Sequence, residues 1–112
     1  MQRYGMVILL HPEKVAYYRE LHAAVWPGVL KRIEECHIRN YSIYLKEIGP
    51  GRFCLFSYFE YTGVDFAADM ARMAADPDTQ RWWCETDPCQ KPVPLHGENE
   101  WWSRMDEVFH AD

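Results

Sequence analysis

A tyrosine and a histidine four residues apart are the strongest candidates for chemistry in this sequence. Tyr18 and His22 stand on an apolar stripe of helical period, and residues at this spacing lie one above the other on the same helix face. A phenol beside an imidazole gives two groups that hold or move protons. A lone histidine on such a stripe is more often structural, so the neighbouring phenol is what turns the pattern into a prediction of proton transfer.

A pair of adjacent tryptophans, Trp82 and Trp83, is the second candidate. Neighbouring residues on a helix point about 100° apart, so we expect one indole in the core and the other facing a cavity. The chain has five tryptophans among its 112 residues, more indole than a small core needs, although large aromatics do dominate such cores. Flat indole faces suit the C–H-rich faces of a pyranose ring. Tyr41 adds another phenol if its strand points it the same way.

The motifs that would indicate other chemistries are missing from the sequence. It has no Gly-rich phosphate loop, no Gly-x-Ser-x-Gly turn and no His-rich metal spacing. The net charge of −5, without a cluster of lysine and arginine, argues against nucleic acid as a partner. The cysteines match no common zinc module, so a metal site at Cys36, His37, Cys84 and Cys89 is a minor alternative. The sequence therefore predicts proton transfer on a small bound ligand, with no cofactor and no metal.

Hydrophobic patterning predicts one domain over residues 1–112 with the order strand, helix, strand, strand, helix, strand. Pro27 should kink or restart the first helix near Trp26. Strands are predicted over residues 4–10, 40–47, 53–61 and 105–110, helices over 12–36, 65–75 and from 77, and a loop over 91–97. This order is the ferredoxin-like split βαβ arrangement, βαββαβ, an α+β fold. Two such sheets packed face to face would form a dimeric α/β barrel.

The N-terminal apolar run bears on where the protein resides. It is too short for a membrane span and lacks a signal-peptide cleavage pattern, which predicts a cytoplasmic protein without a membrane partner. In that compartment thiols stay reduced. We therefore expect the four cysteines to be free and to serve as small buried or half-buried hydrophobic residues.

Five short motifs, taken as a set, resemble the L-rhamnose mutarotases over nearly the whole chain. They are Tyr17-Tyr18-Arg19-Glu20-Leu21-His22, Trp26-Pro27, Asn40-Tyr41-Ser42-Ile43-Tyr44-Leu45, Gln80-Arg81-Trp82-Trp83 and Asp106-Glu107-Val108-Phe109. The resemblance implies a cytoplasmic homodimer with a ferredoxin-like protomer that interconverts the α and β anomers of L-rhamnose. It further implies that His22 is the proton donor. Tyr18, Tyr41, Trp82 and Trp83 match the positions that contact the sugar.

Several alternatives stay open at this point. Dimeric ferredoxin-like barrels also include cofactor-free monooxygenases and haem-degrading proteins, and the same site would serve a sugar-binding module without turnover. The substrate is L-rhamnose or a related 6-deoxy hexose such as L-fucose. The second group in the proton transfer is Tyr18, Asp87 or a bound water.

Overall fold

The computed structural model describes residues 1–112 as an antiparallel sheet covered on one face by helices. The strands are β1 Gln2–Leu10, β2 Ile38–Gly49, β3 Arg52–Tyr61, β4 Gln90–Lys91 and β5 Ser103–Met105. The helices are α1 Val15–Ala23, α2 Pro27–Glu35, α3 Phe66–Ala74 and α4 Pro77–Thr86, with short 3-10 turns at Pro12–Lys14 and Asp87–Cys89.

The strands follow the order β2-β3-β1, and β4 and β5 both pair with the remaining edge of β1. Strand β1 is therefore central, and its register with β3 places Ile8 opposite Leu55. The last strand of the βαββαβ order is divided into two short pieces, β4 near the end of β1 and β5 nearer its middle. The predicted α+β, ferredoxin-like fold is confirmed.

Two of the predicted helix boundaries follow from local chemistry. Pro27 occupies the first turn of α2, where its missing N–H has no intrahelical acceptor to lose, so the predicted kink or restart near Trp26 is a restart. Asp76 begins α4 by accepting a hydrogen bond from the Thr79 N–H, which satisfies one of the donors left free at a helix N-terminus. The result is two pairs of short helices instead of two long ones.

The core lies between the sheet and the helices and consists of two clusters. The first contains Ile8, Leu10, Tyr18, Leu55 and Cys89, and the second is formed by Tyr4, Ile38 and Tyr61. Residues two apart on a strand share a face, so Tyr4, Ile8 and Leu10 all point toward the helices. The opposite face carries Val7, Leu9 and Tyr44, of which Tyr44 is 66% exposed.

The predicted last strand over residues 105–110 is wrong, because β5 ends at Met105. Its pairing with β1 stops at Gly5, and the acidic segment that follows is held by a side chain, since Arg3 donates to Glu107 at 2.8 Å. Val108 and Phe109 beyond it are 94% and 81% exposed. An apolar Val-Phe pair therefore does not join the sheet of its own protomer.

Two smaller predictions need correction. Lys91, placed in a loop by the sequence, lies in β4 opposite Leu9. All four cysteines are free as predicted, and Cys36, Cys54 and Cys89 are buried, but Cys84 is exposed on α4. None of the helices has the length and apolar character that crossing a membrane requires.

Candidate functional site

Helix α1 presents Tyr18 and His22 as a stacked pair. The two ring centres are 4.2 Å apart with 26° between the planes, as their spacing predicts. The His22 Nδ1 lies 2.9 Å from the Tyr18 carbonyl oxygen. Because a carbonyl only accepts, Nδ1 carries the hydrogen, and neutral His22 has its lone pair on Nε2. Burial lowers the pKa of His22 below its usual 6.5, so the neutral form dominates at neutral pH.

The hydroxyl of Tyr18 is held by residues that the sequence did not single out for the site. The Gln90 Nε2 donates to the Tyr18 hydroxyl at 3.1 Å, and the Gln90 Oε1 accepts from the Trp101 indole N–H at 2.8 Å. Tyr18 and Gln90 are each 5% exposed, and burial raises the pKa of Tyr18 well above its usual value. The tryptophan excess was the only signal pointing toward Trp101. Nothing in the sequence indicated Gln90.

The two tryptophans of α4 have different surroundings, as the 100° rule predicts. Trp82 is 7% exposed and meets His22 edge-on, with ring centres 5.2 Å apart. Trp26 packs against the same indole from the other helix pair at 5.1 Å. Trp83 is 38% exposed and stacks on no other aromatic ring. The structure therefore brings Trp82 to His22 and leaves Trp83 at the surface.

Tyr41 reaches the helix face because β2 is irregular where it begins. Asn40 has a positive φ of 51°, and the pairing of β2 with β3 shifts register between Arg39 and Ser42. The Tyr41 ring then packs edge-on against Phe59 at 5.5 Å. Although 43% of Tyr41 is exposed, burial of its hydroxyl raises the pKa of Tyr41 to about 12. Tyr41 is thus partly exposed while its ring packs on Phe59.

Tyr41 and Asp87 both influence the Tyr18 hydroxyl electrostatically. After burial, negative charge on either of them contributes to the raised pKa of Tyr18. Burial also raises the pKa of Asp87. No carboxylate hydrogen-bonds to His22, whose one polar contact is to a backbone carbonyl. The site thus combines a neutral imidazole, two protonated phenols and indole faces, which suits a polar ring with exchangeable protons.

Comparison with known proteins places the chain in a family. A chain from Phocaeicola vulgatus named L-rhamnose mutarotase is 29% identical over 118 residues, and one of the same name from Bacillus subtilis is 30% identical, each covering 100% of both chains. The crystal structure of an L-rhamnose mutarotase from Formosa agariphila superposes with a TM-score of 0.75 at 19% identity over 100% of both chains, which shows the fold. The family model of L-rhamnose mutarotase matches residues 3–111. The chain therefore belongs to the L-rhamnose mutarotase family.

Proposed function

We propose that this chain interconverts the α and β anomers of L-rhamnose or a related 6-deoxy hexose, with His22 moving the proton. The observation that carries the proposal is the state of His22. Its Nδ1–H is fixed on a backbone carbonyl, and its Nε2 lone pair has no partner in the chain. Burial keeps the ring neutral. The full-length family match supplies the sugar.

Ring opening requires one proton to leave the anomeric hydroxyl and one to reach the ring oxygen, and closing reverses both. Neutral His22 takes the first proton on Nε2, and a bound water gives the ring oxygen the second. When the ring closes again on either face of the aldehyde, the imidazolium donates its proton to the aldehyde oxygen and the water regains its proton from the oxygen that closes the ring. General acid–base assistance of this kind typically contributes about 10²–10⁴-fold. Mutarotation already proceeds slowly in water, so this gain is sufficient.

The aromatic residues hold the sugar in this proposal. Tyr18 keeps its proton because its pKa is raised, so it acts as a hydrogen-bonding group and not as the second base. Trp82 packs against the edge of the His22 ring and provides an apolar wall. Tyr41 and Trp83 reach the sugar from the exposed side, where both are partly open to solvent. Holding the ring against Nε2 supplies orientation more than chemistry.

The sheet face opposite the helices supports a homodimer. Tyr44 on this face is 66% exposed, and the apolar pair Val108 and Phe109 extends from the chain without a partner of its own. Small domains bury limited core, and pairing two such faces would remove this surface from water. Light scattering should give twice the 13.3 kDa protomer mass, and a monomer at micromolar concentration would exclude the assembly. The four free thiols favour the reducing cytoplasm as its location.

Saturation-transfer NMR on the anomeric protons tests the activity and the substrate together. We expect exchange between α and β L-rhamnose to accelerate in the presence of the protein, and His22→Ala to abolish the acceleration while retaining the fold. A panel with L-fucose and other aldoses ranks the sugars. Sugar binding without accelerated exchange would instead show a binding module, and exchange unchanged in His22→Ala would remove His22 from the mechanism.

A further inference from the structure

Trp101 and Gln90 form a hydrogen-bond chain that ends on the Tyr18 hydroxyl. Strand β4 is two residues long, yet its pairing of Gln90 with Leu10 points the Gln90 side chain to the helix face. There the amide lies between the Trp101 indole and Tyr18, with contacts of 2.8 Å and 3.1 Å. Two polar contacts, one across 72 positions of the chain and one across 11, therefore converge on one buried amide.

The direction of this chain follows from what each group is able to do. An indole N–H only donates, so the Gln90 atom that faces Trp101 must be the carbonyl oxygen. The amide nitrogen then faces Tyr18, where it only donates. The Tyr18 oxygen accepts that bond, and its own hydrogen has no acceptor in the chain, since Gln90 is its one polar partner.

We propose that Trp101 and Gln90 are positioning residues that commit the Tyr18 hydroxyl to donate its hydrogen to the sugar. Without Trp101 the Gln90 amide is free to rotate by 180° and place its oxygen against Tyr18. The Tyr18 hydroxyl would then donate its hydrogen to Gln90 and not to the sugar. With Trp101 present that turned state leaves an indole N–H facing an NH₂ group, two donors without an acceptor. Trp101 is 41% exposed, but Gln90 is 5% exposed, so the NH₂ group of the turned amide would lie buried without an acceptor, which costs free energy.

For sugar recognition, the consequence is that the Tyr18 hydroxyl and the His22 Nε2 each have a fixed role as hydrogen-bond donor or acceptor. Tyr18 presents a donor, and His22 presents an acceptor at Nε2, because its Nδ1–H is held by the Tyr18 carbonyl. A sugar oxygen that lies against Tyr18 must therefore accept a hydrogen bond from its hydroxyl. The anomeric O–H that lies against His22 must donate one to Nε2. This inference rests on the proposed sugar function, but the hydrogen-bond chain is testable without it.

Two matched tryptophan variants separate the chain from general packing. Trp101→Phe deletes the N–H that orients Gln90, whereas Trp102→Phe deletes the neighbouring indole, which packs against the first core cluster and makes no hydrogen bond. Calorimetric titration with L-rhamnose should show affinity about threefold weaker for Trp101→Phe, the loss expected for part of one hydrogen bond. Trp102→Phe should bind as the wild type does. Equal affinities for the two variants would overturn the proposal.

Two substitutions of Gln90, to Glu and to Met, distinguish the proposal from a packing role. The proposal expects the larger loss of L-rhamnose affinity in Gln90→Glu, whereas packing alone would give the larger loss in Gln90→Met. At mildly alkaline pH, Gln90→Glu accepts from both Trp101 and Tyr18 and so captures the Tyr18 hydrogen, and the affinity should fall about tenfold. Gln90→Met loses both hydrogen bonds but leaves that hydrogen free, and the loss should be smaller. A merely structural role predicts that Gln90→Met is at least as damaging, and that result would refute the assignment. Thermal unfolding of each variant checks that it folds.

The indole N–H signal of Trp101 gives a readout that does not depend on turnover. In ¹⁵N-labelled protein, the signal that disappears in Trp101→Phe should exchange slowly with solvent in the wild type and rapidly in Gln90→Met. Rapid exchange in the wild type would disprove the Trp101–Gln90 hydrogen bond. A protein with slow exchange and the predicted affinity order but no anomer interconversion would retain this inference and lose the proposed function.

Discussion

Two clusters on the helix face of the sheet each contain a tyrosine and a histidine, and they differ in what their polar atoms contact. The first, the open pair, is Tyr18 with His22. The second, the closed cluster, is Tyr61 with His37 and Asp69, where His37 Nδ1 lies 3.0 Å from the Asp69 Oδ2 and the Tyr61 hydroxyl donates to the same oxygen. Tyrosine and histidine thus occur in both clusters, but only in the closed cluster do they share a carboxylate as their hydrogen-bond partner.

The closed cluster has little capacity left for a ligand. The Tyr61 hydroxyl donates to Asp69 and accepts from the Asp65 N–H at 3.0 Å, and Arg72 lies 3.3 Å from the other Asp69 oxygen. In the open pair, by contrast, the Tyr18 hydrogen and the His22 Nε2 have no partner in the protein. Free hydrogen-bonding capacity makes the open pair the candidate site and separates it from the structural network of the closed cluster, although both contain the same side chains.

The largest expected difference comes from removing one hydroxyl in each cluster. Tyr18→Phe should lower kcat/KM for anomer exchange by about 10²-fold, the lower end of the loss on removing one preorganised hydrogen-bond donor from developing charge, because the sugar loses its donor. Tyr61→Phe should leave kcat/KM within about twofold. Its effect should be a Tm lower by about 5 °C, since Asp69 and the Asp65 N–H lose a buried partner. Exchange NMR and thermal unfolding on the same preparations measure both.

A loss of exchange in Tyr61→Phe at temperatures where it remains folded would contradict the separation of roles. A kcat/KM equal to that of the wild type in Tyr18→Phe would contradict it as well.

Lowering the pH should inactivate the open pair through protonation of His22. Burial lowers the pKa of His22 below 6.5, so in the native state neutral imidazole persists to a lower pH than in the unfolded chain. Enzyme-dependent exchange should therefore fall about tenfold per pH unit only below a midpoint under 6.5. The stability contributed by neutral His22 is full above 6.5 and decreases as the pH falls through the lowered pKa, since the unfolded chain then binds the extra proton.

A variant of the closed cluster serves as the control for this pH profile. His37 has a positive φ of 66°, which asparagine tolerates better than most residues, so His37→Asn removes the imidazole without backbone strain. The midpoint of exchange should stay where it is in the wild type. A shifted midpoint in His37→Asn would mean that the closed cluster communicates with the site.

The sequence was sufficient to predict the fold and the placement of the helix-borne residues of the candidate site. Period-two alternation, Pro27 and the turn at residues 49–51 determined the strand and helix order, because each is a local property. The spacing of Tyr18 and His22 placed them on one face for the same reason. The adjacent tryptophans were correctly expected to diverge, although the sequence did not show which of them lies against His22.

The rest of the site depends on contacts between distant parts of the chain. Gln90 meets Tyr18 across 72 positions, and its orientation depends on a two-residue strand whose register no local pattern encodes. Tyr41 reaches the helix face through a register shift after Arg39. The last strand was placed too late because Val108 and Phe109 look like strand residues, while pairing with β1 stops before them.

The smallest expected effect concerns acid stability at the closed cluster. The Tyr61 hydroxyl, followed by His37, lowers the pKa of Asp69 below its usual 3.8. A carboxyl group with a lowered native pKa stabilises the fold above its unfolded pKa and loses that contribution as the pH falls through the native value. Asp69→Asn should therefore have a lower Tm than the wild type at neutral pH, and the difference in Tm should narrow below about pH 4.

Asp65→Asn is the matched control, because asparagine also accepts the hydrogen bond at the start of α3. Anomer exchange at neutral pH should match the wild type in both variants. A difference in Tm that narrows equally in Asp65→Asn would show that the acid sensitivity belongs to the α3 N-terminus and not to the closed cluster.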